Sequence, residues 1–115
     1  MWRCSDVAQV DDLFADRYVR HIASGTEGLS RAELKDAFVQ YQRVLYAPVT
    51  TVDSWARSGD TVFLRATSRG VNIETERPQV VTWMVAYRFE GLRIAEGWTA
   101  TVPDVDWEAR ARSER

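Results

Sequence analysis

The sequence predicts one α+β domain in which two amphipathic helices precede a run of β-strands. Three observations predict it. The 115-residue length suits a single core. Apolar residues recur at helical spacing through the first part of the chain, and from Val49 onward the period changes to two, with Gly-bearing turns between the runs.

The elements follow in order. Ser5 and Asp6 offer side-chain oxygens to the free amides of a first turn, and Val7, Val10, Leu13 and Phe14 then mark a short helix ending near Ala15. Two glycines and small polar residues make 24–28 a loop. Ser30-Arg31-Ala32-Glu33 is a capping box, and behind it Leu34, Phe38, Tyr41 and Leu45 share one face, widened by Ala37 and Val44, until Pro48 stops the helix. Val49 to Trp55 reads as a strand rich in β-branched residues. A turn at Arg57-Ser58-Gly59-Asp60 returns the chain through Thr61 to Thr67. A long strand, Val80 to Phe89, turns at Glu90-Gly91 into Arg93 to Val102.

The strand Val80 to Phe89 is apolar on both sides: Val81, Trp83, Val85, Tyr87 and Phe89 alternate with Val80, Thr82, Met84 and Ala86. An antiparallel strand with one wet face would alternate apolar with polar. Helices on one side and a second subunit on the other would account for this, as would a strongly curved sheet that wraps its own core.

Composition excludes several functions. A formal charge of −2 and a pI near 5.4 leave no basic field for a phosphate backbone, so no nucleic-acid partner is expected. Apolar residues at 45% and charged residues at 28% are an ordinary globular balance. Charge interrupts every apolar stretch well short of the roughly 20 residues that span a bilayer, and the start of the chain lacks the pattern of a secretory signal. Cys4 is the only cysteine, which rules out an internal disulfide and suits a reducing compartment. A cytoplasmic protein without a membrane partner is expected. No Gly-rich phosphate loop, Gly-x-Ser-x-Gly elbow or His/Cys cluster is present, so no nucleotide, nucleophilic-serine or metal chemistry is expected.

Three stretches carry a family resemblance. Asp12 to His21 has an acidic helix end followed by Tyr-Val-x-His; Ser58 to Arg65 has Gly-Asp-x-Val-x-x-Arg; Tyr87 to Trp98 has Arg-Phe-x-x-Gly-x-Ile-x-Glu-x-Trp. In this order and spacing, from about Trp2 to Trp107, the chain resembles the SnoaL-like group of the nuclear transport factor two-like superfamily, with its polyketide cyclase, ketosteroid isomerase and limonene epoxide hydrolase-like members. The resemblance implies a strongly curved, mixed and mainly antiparallel sheet with helices closing a cone-shaped pocket, a cystatin-like α+β barrel. It further implies a homodimer through the outer sheet face, no cofactor, and one domain over 1–115. Two departures stand out: the long first helix of the group is missing or truncated, and the inner Asp of the last strand is absent, since Glu96, Gly97, Thr99, Ala100 and Thr101 surround Trp98 and no Asp follows until Asp104.

Candidate site residues follow from their chemistry. His21 is the only histidine, and an unperturbed pKa of about 6.5 suits it to proton exchange near neutrality. The resemblance places it at the pocket entrance; packing at a helix end is the alternative. Tyr18, one helical turn away if the helix continues, is a candidate to orient a ligand carbonyl or hydroxyl. Arg65 reads either as an anion-binding group or as the ion-pair partner of Asp53. Glu96 and Trp98 share a strand face, so a carboxyl against an indole with a raised pKa is one reading and a subunit contact the other. Trp83 and Trp98 are candidate walls for a flat apolar ligand, with Trp55 and core packing as the competing assignment for such residues. Asp104 and Asp106 read as solvated turn residues, and Glu108 to Arg115 as a charged helix or frayed end.

Two functions fit. One is a cofactor-independent enzyme of the cyclase, isomerase, dehydratase or epoxide hydrolase type, with His21 and Tyr18 catalytic and Trp83, Trp98, Arg65 and Glu96 binding an apolar ring-containing substrate. The other is a non-catalytic dimeric module that binds a small apolar molecule. The groups lining the cavity discriminate them.

Overall fold

The computed structural model describes residues 9–42 and 45–107. Among these residues the order is α1 (Val10–Leu13), β1 (Phe14–Ile22), β2 (Gly25–Ser30), α2 (Arg31–Gln42), β3 (Leu45–Ser58), β4 (Thr61–Asn72), β5 (Pro78–Glu90) and β6 (Arg93–Pro103). The strands form one six-stranded sheet in the order β2-β1-β6-β5-β4-β3. Every neighbouring pair is antiparallel except β1 with β6. The fold is therefore α+β with a mixed, mainly antiparallel sheet, as expected. The sheet is not closed: β2 and β3 are its two edges, so it curves without completing a barrel.

Local chemistry explains where the elements differ from expectation. The first helix stops at Leu13, and Phe14 is already extended at φ −110° and ψ 144°. The next stretch alternates Tyr18, Arg20 and Ile22 with Val19 and His21, which suits a strand, and β1 gains partners on both sides. The segment read as a loop from Ser24 to Gly28 instead begins edge strand β2 at Gly25, because β1 supplies the ladder that its own composition does not favour. Its turn is only Ala23-Ser24. The Ser5/Asp6 cap, Val7, Val44 and the tail from Glu108 to Arg115 lie outside the described residues.

The capping box forms as read. Glu33 N–H donates to Ser30 Oγ at 3.2 Å, and Ser30 N–H donates to Glu33 Oε1 at 3.0 Å. Helix α2 ends at Gln42, earlier than expected, and Leu45 belongs to β3. Pro48 lies within β3, where the register shifts between Tyr46 and Val49. An edge strand at an irregularity is where a residue without an N–H is tolerated. Gly59 turns the chain between β3 and β4 with φ +59°, as the sequence requires.

Strand register settles the faces of β5. Trp83, Val85 and Tyr87 point to the concave side, toward α2, and Met84, Ala86 and Arg88 to the convex side. The core of Val10, Phe14, Tyr18, Leu29, Leu34 and Ile94 fills one end between the helices and the sheet. Phe14 organises it through edge-on contacts with Tyr18 at 4.9 Å, Phe38 at 6.3 Å and Tyr87 at 6.3 Å.

Past β6 the chain folds back over part of the convex face. Asp104 adopts φ +63° and donates its N–H to Val80 O at 2.8 Å, and Val105 O accepts from Thr82 Oγ at 2.7 Å. Asp106 receives a forked contact from Arg69 at 2.9 Å, so it is a half-buried clamp and not the solvated turn residue expected. No helix among the described residues is long and apolar enough to cross a membrane.

Candidate functional site

The concave face and α2 enclose a cavity of about 590 Å³. Helical spacing brings Leu34, Ala37 and Phe38 to one side of it, and strand alternation brings Leu64, Ala66 and Val85 to the other. Such a volume, apolar with few polar groups, is that of a small-molecule site. Among the described lining residues the ionisable groups are Tyr18, Arg20 and Tyr87, and none is a carboxylate.

Trp83 lines this cavity. Its Nε1–H donates to Ser68 Oγ at 2.8 Å, and Ser68 Oγ lies 2.6 Å from Thr50 Oγ1. Ser68 and Thr50 are buried, so this short chain fixes the indole plane. Arg20 lines the cavity with its guanidinium held by Glu27 of β2, through an Nε contact of 2.9 Å and a shorter one from Nη2.

Tyr18, like Thr50, is a buried polar residue among the described lining. It is 3% exposed, and its hydroxyl makes no hydrogen bond to any described residue. The phenol fits because β6 carries glycine opposite it: a Cβ built on Gly97 would lie 2.1 Å from Tyr18 Oη. Burial first, and the neighbouring Tyr87 second, push the Tyr18 pKa well above the ordinary phenol range. The phenol therefore stays protonated at neutral pH, the form that can donate a hydrogen bond and cannot serve as a base.

The other candidates lie elsewhere. His21 is three residues beyond Tyr18 on a strand and so faces the convex side; its expected pocket position is corrected by the strand that replaces the continued helix. There its Nε2 lies 2.7 Å from Glu96 Oε2 and its Nδ1 2.7 Å from Thr26 Oγ1, and its ring stacks on Trp98 at 5.0 Å. Trp98 is 41% exposed on this face and does not line the cavity. Glu96 also accepts from Arg88 Nε at 3.0 Å. Hydrogen bonds from His21 and then Arg88 hold its carboxyl below the ordinary range, which corrects the raised pKa expected from desolvation. Arg65 pairs with Asp53 at 3.6 Å, and Asp53 Oδ2 also accepts a short hydrogen bond from Thr67, so the ion-pair reading of Arg65 holds.

The structure thus keeps Tyr18 and Trp83 together and separates His21, Glu96, Trp98 and Arg65 from them. Sequence reasoning missed Arg20, Tyr87 and Thr99 as cavity residues and Gly97 as the position against which Tyr18 packs. A period-two reading of Tyr18, Arg20 and Ile22 would have found the first. A glycine inside a strand is itself a sign of close approach, which would have found Gly97. Among the described residues no group of three or more His, Cys, Asp or Glu side chains could hold a metal ion.

Comparison with known proteins agrees with this architecture. One similar solved structure is a protein from Acidithiobacillus ferrooxidans assigned as a polyketide cyclase, with TM-score 0.79 and 17% identity over 87% of this chain and 78% of that one. IdmH from Streptomyces antibioticus, also assigned as a polyketide cyclase, gives TM-score 0.72 and 25% identity over 84% and 80%. A SnoaL-like polyketide cyclase from Agrobacterium tumefaciens gives 0.71 and 12% over 96% and 87%. No curated protein sequence matches the chain. The profile of the SnoaL-like domain matches residues 1–97, and the chain belongs to that family.

Proposed function

We propose that the protein binds one small, apolar, ring-containing molecule in the cavity beneath α2, without a cofactor. The observation that carries this reading is the lining itself: about 590 Å³ walled by aliphatic and aromatic side chains, with no carboxylate among its described residues. Trp83, tied to Ser68, offers a flat fixed wall.

Titration with fluorene, a flat tricyclic hydrocarbon, tests it. Saturable quenching of tryptophan fluorescence that disappears in Trp83→Phe is expected, together with a rise in melting temperature that grows with ligand concentration. Absence of saturable binding refutes the reading.

Catalysis is the second reading, supported by the names of the similar structures. It requires a group inside the cavity that stabilises developing charge, and Tyr18 is the buried donor present there. Turnover lost in Tyr18→Phe, with binding retained, is its expected signature. His21→Gln should leave turnover unchanged.

We further infer a cytoplasmic homodimer formed through the convex face. Ala56, Phe63, Ala86, Trp98 and His21 stand in one register row across five strands. Phe63 is 50% exposed in this row, and Met84 beside it is 46% exposed. A row of this kind suits a self-complementary contact.

A further inference from the structure

We propose that Arg20 is the anion-recognising residue of the cavity, and that the ligand is an apolar ring skeleton bearing a carboxylate, which takes the guanidinium in competition with Glu27. This rests on the cavity-binding reading and specifies the ligand of that site.

Three observations carry it. Arg20 is the cationic side chain among the described residues that line the cavity, and none of those residues is a carboxylate. A charge beside apolar walls is costly unless something pairs with it, and a hydrocarbon ligand would be served as well by an aliphatic side chain. Ile22, the next residue on the same face of β1, is such a side chain.

Second, the pairing that Arg20 has comes from outside the cavity. Glu27 stands opposite Arg20 in the register of β1 with edge strand β2. It is not among the lining residues, and its side chain is 44% exposed against 25% for Arg20. An ion pair this open to water contributes little and exchanges readily. A Glu27 carboxylate that is displaced simply returns to solvent.

Third, the guanidinium is only partly used. Glu27 Oε1 accepts from both Nε, at 2.9 Å, and Nη2, whereas Nη1 makes no bond to a described residue. The planar fork carries five N–H donors in a geometry that matches the two oxygens of a carboxylate. Thr99 lines the cavity from β6, two residues past Gly97, which is the β6 partner of Arg20, and adds a hydroxyl donor on that side. An ammonium ligand would meet Arg20 with like charge and find no lining carboxylate. A phosphate monoester would bring nearly two negative charges to one guanidinium that Glu27 already faces, whereas a carboxylate brings one.

The test uses fluorene, fluorene-9-methanol and fluorene-9-carboxylate with the full chain at neutral pH. The alcohol controls for size and for neutral hydrogen bonding. One charge-assisted pair predicts that the carboxylate binds about tenfold tighter than the alcohol in the wild type, and that this preference disappears in Arg20→Gln while the fluorene Kd stays unchanged. Added salt should erode the carboxylate preference in the wild type and leave the alcohol untouched. Glu27→Gln distinguishes recognition from support of the fold. Loss of the competitor should tighten carboxylate binding about two- to tenfold, whereas a purely structural ion pair gives no gain. If Arg20→Gln does not fold, Glu27→Gln and the salt dependence still decide. An alcohol bound as tightly as the carboxylate in the wild type, a preference that survives Arg20→Gln, or carboxylate binding that Glu27→Gln does not tighten overturns the assignment and leaves the cavity reading intact. Failure of all three to bind overturns both.

Discussion

The close approach of Tyr18 to β6 makes Gly97→Ala a sharp probe of packing. Its added Cβ would stand 2.1 Å from Tyr18 Oη and 3.0 Å from Tyr87 Cδ1 and Cε1, more than an ångström inside ordinary contact for the first of these. Both neighbours are rigid aromatic groups, and Tyr18 is pinned by Phe14 at 4.9 Å, so the phenol cannot swing aside without disturbing the core. Overpacking of this kind costs about 1–3 kcal/mol. Replacing glycine also narrows the unfolded ensemble, which returns about 0.4–1 kcal/mol. The net loss is between about 0 and 2.6 kcal/mol, up to roughly 10 °C in melting temperature for a domain of this size. Tyr18→Phe alone should cost little, because no hydrogen bond to a described residue is broken. In the double variant the 2.1 Å overlap is gone and only the Tyr87 contacts remain, so the two changes should couple favourably by about 1 kcal/mol. Urea denaturation of the four proteins at one temperature measures the cycle. Additivity within about 0.4 kcal/mol would show that the phenol and Gly97 do not touch.

Three further outcomes are expected. Phe63→Asp on the convex face should convert a dimer to a monomer without lowering the melting temperature, and sedimentation of the wild type as a 13.2 kDa monomer would end the homodimer proposal. Gly59→Val should destabilise by about 1 kcal/mol or more because valine resists φ +59°, and an unchanged melting temperature would refute that turn. Glu96 has a depressed folded-state pKa, so its contribution to stability is present above the unfolded carboxylate range and lost as pH falls through the folded value. Glu96→Gln should therefore narrow the stability difference between pH 7 and acid, and an identical acid limb in variant and wild type would contradict the His21 and Arg88 bonds.

Much of the fold was legible because its signals are local. The Ser30/Glu33 box, the Leu34-Ala37-Phe38 face and the Gly59 turn depend on neighbours within a few residues, and all three form. A first helix continuing to Tyr18, the loop at Ser24 and the helix through Leu45 do not form for one shared reason: β1, β2 and the start of β3 gain their hydrogen bonds from distant partners, which outweigh the propensity of short segments. That error carried into the site. A residue three positions along a helix shares a face, whereas three along a strand it crosses the sheet, and this alone moved His21 away from Tyr18. The inward direction of Trp83 came from parity that only the pairing with β4 and β6 could settle.

The bond from Trp83 to Ser68, and on to Thr50, also bears on how a ligand is received. An aromatic wall that tumbles between rotamers must be stilled at the moment of capture, at a cost of about 0.5–1.5 kcal/mol for each mobile side chain. Here the indole is stilled when the chain folds. Ser68→Ala would keep every atom that a guest touches, yet it should weaken capture through the entropy of binding, with the dissociation rate rising more than the encounter rate falls.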